Sequence, residues 1–117
     1  MNFGWNDVAE AIQQLVRSQE RDFSPDTIRN AEDFIMHARE RLMPPDHIVP
    51  GYWATFELGW DCSPAISVEI FDDRYEFYRM REGKTDIFEF AHRPGEPFSG
   101  NLDELLALAC AQVPKAD

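Results

Sequence analysis

Residues 52–91 read YWATFELGW (52–60), DCSP (61–64), AISVEIF (65–71), DDR (72–74), YEFYRMR (75–81), EGK (82–84) and TDIFEFA (85–91). In the first run Tyr52, Ala54, Phe56, Leu58 and Trp60 alternate with Trp53, Thr55, Glu57 and Gly59. In the second, Ile66, Val68 and Ile70 alternate with Ser67, Glu69 and Phe71. A period of two places successive side chains on opposite faces of a strand. The connections are too short for anything but antiparallel neighbours, and Gly83 supplies a residue free to take positive φ in a tight turn. This stretch therefore predicts a four-stranded meander, one face apolar and the other polar, as in a sheet covered on one side only.

Upstream, Pro44 to Gly51 carries three prolines and a glycine and reads as a linker. Before it the period becomes helical. Val8, Ile12, Leu15 and Val16 give an apolar stripe over about Asp7–Gln19, with Asn6 or Asp7 as N-cap. A second helix opens at Ser24 as N-cap with Pro25 in the first position, and Phe23 and Ile28 stand in hydrophobic-staple positions. Ile28, Ala31, Ile35, Ala38 and Leu42 form its apolar face, Arg29 and Asp33 are spaced to pair, and Pro44-Pro45 stops it. Downstream, His92 to Gly100 is a loop. Asn101 with Glu104 reads as a capping box opening a third helix along Leu102, Leu105, Leu106, Leu108, Ala109 and Val113. The expectation is an α+β fold in the order ααββββα, residues 1–117 forming a single domain, with the helices packed on one sheet face.

The net charge is −11, from 22 acidic against 11 basic residues. Such a field repels nucleic-acid phosphate and anionic lipid and attracts basic surfaces, so the expected partner is a basic protein surface, with no direct nucleic acid and no membrane. Nine of the eleven bases are arginine, whose planar fork suits bidentate and stacked contacts. No apolar run approaches the roughly 20 residues of a membrane span. Met1 to Asp7 lacks the features of a signal peptide, and the expected location is cytoplasmic. Cys62 and Cys110 are then expected to be free thiols.

His37, His47 and His92 fall in no CxxC, HxH or HExxH spacing. Asp33, His37 and Glu40 share a helix face, an arrangement common on solvated helices, and no metal and no cofactor are expected. Cys62 follows Asp61, whose charge opposes thiolate formation, and Cys110 sits in a leucine-rich helix. There is no Gly-rich phosphate loop and no GxSxG elbow, so no catalytic residue is expected. What stands out is a surface. From Glu57 to Glu76 there are six acids against Arg74 alone. If Glu57, Glu69, Glu76 and Glu89 all face outward, they make a carboxylate field across the open sheet. Phe71, Tyr78 and Trp53 interleave with it, and Asp72-Asp73 extends it. The candidate partner-binding residues are Glu57, Glu69, Phe71, Asp72, Asp73, Glu76, Tyr78 and Glu89.

Phe56-Glu57-Leu58-Gly59-Trp60, Val68-Glu69-Ile70, Asp72-Asp73, Tyr75-Glu76-Phe77-Tyr78 and Leu102-Asp103-Glu104-Leu105-Leu106 together resemble a pattern in small acidic bacterial and phage-associated proteins: a meander closed by a Leu-rich helix. The resemblance covers about half the chain and implies a bacterial or phage source. It carries no site residues. The function expected from the charge is non-enzymatic. It is the docking of an acidic, aromatic-bearing surface on a basic protein, in the manner of a phage-type inhibitor (anti-CRISPR-like) or an immunity protein. The alternatives are a small ligand-binding domain or enzyme, with a pocket between the sheet and helix 2 holding His37, Trp60 or Cys62, and a homodimer whose sheets or edge strands pair, with function residing elsewhere.

Overall fold

A computed structural model of the chain describes residues 4–18 and 22–107. Within it run α1 (Trp5–Ser18), α2 (Pro25–Ala38), β1 (His47–Pro50), β2 (Phe56–Trp60), β3 (Ala65–Ile70), β4 (Arg74–Arg81), β5 (Lys84–Ala91) and α3 (Gly100–Ala107). The five strands form one sheet in the order β1-β2-β3-β4-β5, every neighbouring pair antiparallel. The α+β class is as expected, but the sheet has five strands, not four.

The extra strand is β1, hidden in the stretch that read as a linker. Its prolines misled because proline cannot donate to a ladder, yet an edge strand has one side without ladder bonds and tolerates proline there. β1 pairs only with β2, and Pro50 stands at its end opposite Phe56. Conversely, Tyr52 to Thr55 is the connection between β1 and β2. Its alternation continues the pattern of β2, but the chain turns back there: Gly51 N–H donates to the Thr55 carbonyl at 2.7 Å, and Ala54 adopts φ 59°. The β4–β5 turn follows expectation. Glu82 and Gly83 both take positive φ, the pairing of a type I′ hairpin turn.

The helix ends differ in detail. At α1, Gly4 precedes the helix and the Asp7 carboxylate accepts its N–H at 2.7 Å, so Asp7 reaches back rather than capping. At α2, Ser24 is the N-cap, its Oγ accepting the Thr27 N–H at 3.1 Å. That helix stops at Ala38, and a turn through Arg41 delivers Leu42 to the core, where it is fully buried. Arg29 pairs weakly with Asp26 at 3.9 Å rather than with Asp33, which accepts the Gly95 N–H. At α3 the cap is Ser99, not Asn101: Ser99 Oγ accepts the Leu102 N–H at 3.2 Å. Leu108, Ala109, Cys110 and Val113 lie outside the described residues.

Register explains the layering. Leu58, Val68, Phe77 and Phe88 stand directly opposite one another across β2 to β5, as do Phe56, Ile70, Tyr75 and Phe90. These two apolar rows face the helices. Val8 and Ile12 of α1, Ala31, Phe34, Ile35 and Ala38 of α2, and Leu102 and Leu106 of α3 join them in one buried cluster. Phe34 is inserted between Tyr75 and Phe77, and Phe23 stacks on Phe56 at 4.4 Å. Both core indoles are satisfied: Trp5 donates to the Leu42 carbonyl and Trp60 to the Met43 carbonyl. Fully buried Asn30 ties α2 to the sheet end, its side-chain amide donating to the carbonyls of Phe71 and His92 while its backbone carbonyl accepts from the Tyr75 hydroxyl.

Cys62 is disulfide-bonded, which corrects the free-thiol expectation. Among the described residues no helix is long and apolar enough to cross a membrane.

Candidate protein-docking surface

Between the two inward rows, strand alternation must place an outward one. That row is Val49, Glu57, Glu69, Glu76 and Glu89, in register across all five strands. Four carboxylates therefore stand on consecutive strands. With strands about 4.8 Å apart, the row is roughly 14 Å long. The helices cover the other face, and this one stays open.

Like charges directly opposite one another destabilise a sheet, and the structure shows how the row is tolerated. Thr55 Oγ1 donates to Glu69 Oε2 at 2.5 Å. The Tyr78 hydroxyl lies on the same face and contacts both Glu69 Oε1 (3.1 Å) and Glu76 Oε1 (2.9 Å). Burial, and then these two carboxylates, push the phenol well above its ordinary range, so Tyr78 stays neutral as a donor. Arg74 Nε donates to Glu76 Oε2 at 2.7 Å, its Nη1 meets Asp73 Oδ1 at 2.8 Å, and Glu89 lies 4.0 Å away. The hydrogen bond to Glu76 leads the interactions that raise the Arg74 pKa. The Glu57 carboxylate makes no hydrogen bond or ion pair among the described residues. Arg74 thus answers Asp73, Glu76 and Glu89, while Glu57 and Glu69 face no cation among the described residues.

Beside the row lies a partly apolar margin. Ile87, directly opposite Tyr78, is 64% exposed, and Val49 and Met80 are also exposed. Tyr52 and Trp53 project from the β1–β2 loop, 82% and 71% exposed, and contact each other edge-on at 4.7 Å. That loop depends on Gly51, where a Cβ would overlap Thr55 Oγ1 and Glu69 Oε2. At the opposite end of the same face the His47 ring lies over Gly59 and approaches Asp61 at 3.3 Å.

Of the eight candidate residues, Glu57, Glu69, Glu76, Glu89 and Tyr78 share the open face. Asp73 joins them through Arg74. Phe71 does not interleave with the glutamates; it lies just past β3, under the Arg74 guanidinium at 3.8 Å, and with Asp72 it lines a small cleft against Trp53. Sequence reasoning missed Arg74 as the organiser of the row and Tyr52 as part of the surface. The Pro50-Gly51 pair just before two large aromatics was the signal for an exposed loop.

The residues proposed for an internal pocket are not brought together. Trp60 is core and bonded to Met43, and Cys62 is disulfide-bonded. His37 stacks on Phe98 at 4.0 Å and meets Asp103 at 2.5 Å. Phe98 is stacked on its other side by His92, which reaches Asp33 at 3.3 Å. These contacts pin the loop after β5, and α3, onto α2. Asp33 and His37 are thereby turned to different partners, and among the described residues no group of three or more His, Cys, Asp or Glu side chains is placed to hold a metal ion. No protein-family model, no curated protein and no solved structure matches the chain.

Proposed function

We propose that this protein is a non-enzymatic interaction protein that docks the open, acidic face of its sheet on a basic surface of another protein. The observation that carries the reading is the in-register row Glu57–Glu69–Glu76–Glu89, left uncovered and flanked by exposed Tyr52, Trp53 and Ile87. Aromatics beside a field of one sign make an interface core with a steering rim. Two versions of this reading are an inhibitor of the phage type and an immunity protein acting on a basic toxin, each binding through charge and so more weakly at higher salt.

The test is affinity capture from a cognate lysate with two baits, the parent chain and the Glu57→Gln/Glu89→Gln variant. Proteins held by the parent, lost on the variant, and basic themselves support the reading. Identical captured sets on both baits, or a partner set that is neutral or acidic, would refute it.

A further inference from the structure

We propose that the cleft beside Trp53 is the receptor for one cationic side chain of the partner, an arginine by preference. The proposal rests on the docking reading above and names what the surface holds. The cleft is walled by Trp53, Phe71, Asp22, Asp72, Ser24 and Thr27, and it measures about 170 Å³. Small-molecule sites run about 300–1,000 Å³, so this one has room for a side chain and not for a cofactor.

Its chemistry selects charge. Trp53, 71% exposed, and Phe71 line it, and the carboxylates of Asp22 and Asp72 stand beside them; aromatic rings next to carboxylates attract a guanidinium or ammonium group. The N-terminus of α2 also opens here and favours anions, but it contributes roughly half a positive charge against two full negative ones, and the Arg74 cation on Phe71 is already paired with Asp73 and Glu76. One of its N–H groups is already bonded to Ser24 Oγ. The carboxylates therefore prevail and the site prefers a cation. The molecule shows the geometry in small: its own Arg74 lies over the Phe71 ring at 3.8 Å, yet Arg74 does not line the cleft. Arginine is preferred over lysine because a planar guanidinium stacks on a ring and bonds a carboxylate together.

Position links the cleft to the row. Phe71 and Asp72 follow β3 two and three residues after Glu69, and Trp53 is two residues before Thr55, which donates to Glu69. A partner arginine seated in the cleft would hold its neighbouring bases over the glutamates.

The experiment is an NMR titration of the full chain at constant ionic strength with acetyl-Gly-Arg-Gly-amide, and in parallel with the same peptide carrying neutral citrulline. Peptide is carried to about 20 mM, enough to saturate a site of millimolar affinity. The expected result is a saturable shift of the Trp53 indole N–H and the Phe71 and Asp72 amides with the arginine peptide alone. Asp72→Asn should weaken it roughly two- to fivefold, the worth of one exposed charge. Asp72 is exposed, so this variant keeps its fold. Shifts confined to Glu57, Glu69, Glu76 and Glu89, with Trp53 unmoved, would overturn the cleft while leaving the docking face standing. Equal shifts with citrulline, or none at Trp53 with arginine, would also overturn it. The docking reading fails separately, in the two-bait capture.

Discussion

Replacing Glu57 with glutamine should make the protein more stable. Glu57 stands directly opposite Glu69, and among the described residues nothing neutralises it. Opposite side chains sit about 5 Å apart, and two unit charges at that distance in water repel by about 0.8 kcal/mol. A Debye length of about 8 Å at physiological salt cuts this roughly in half, and partial burial lowers the local dielectric and restores part of it. The expected gain is about 0.5 kcal/mol. With a urea dependence of about 1–3 kcal/mol per molar for small domains, the midpoint should rise by roughly 0.2–0.5 M. In 1 M NaCl the Debye length is about 3 Å and the gain should nearly vanish. The assay is equilibrium urea unfolding of parent and Glu57→Gln at 0.15 M and 1 M salt. A lower midpoint for the variant, or a gain unaffected by salt, would refute the claim that the row carries unrelieved like charge. The gain should come with weaker partner capture, since the same charge serves both.

Three further outcomes follow from particular contacts. Asn30→Ala removes two donors and takes a partner from the half-buried Phe71 and the buried His92 carbonyls, so unfolding free energy should fall by about 2–4 kcal/mol; a loss under 0.5 kcal/mol would show that the clamp is not used. Ala54→Gly relieves a left-handed residue at φ 59°, and calorimetry should show about 0.5 kcal/mol of added stability once the entropy cost of glycine is subtracted; Ala54→Val should lower it. Burial, seconded by Asp33, holds the Tyr75 phenol above its ordinary range, as it does Tyr78. The folded state therefore keeps these protons where the unfolded chain gives them up: stability is intact below about pH 10 and falls as pH rises past it, by up to about 1.4 kcal/mol per pH unit for Tyr75. Urea midpoints at pH 9 and pH 11 measure the fall, and Tyr75→Phe should reduce it, leaving the part that Tyr78 contributes.

Much of the fold was written in local pattern. Strict alternation from Phe56 to Ala91, joined by short turns, leaves one antiparallel register, and that register alone puts Glu57, Glu69, Glu76 and Glu89 in one line. A one-residue slip on any strand would have buried its glutamate. The surface was legible because the same period that builds the core builds its opposite face. What pattern could not carry was anything decided by a distant partner. β1 exists because β2 offers it a ladder, although its own residues resemble a linker. Arg74 reads as an ordinary turn base until β5 brings Glu89 beside it. Leu42 reaches the core through a turn rather than on a helix, and periodicity alone cannot tell those apart.

The most direct test of the account is the association rate with the captured basic partner, measured by stopped flow from 0.05 to 0.5 M NaCl. Electrostatic steering by the glutamate row predicts a fall of about tenfold or more, with a clearly shallower slope for Glu57→Gln/Glu89→Gln. A rate that ignores salt, or the same slope for parent and variant, would contradict it.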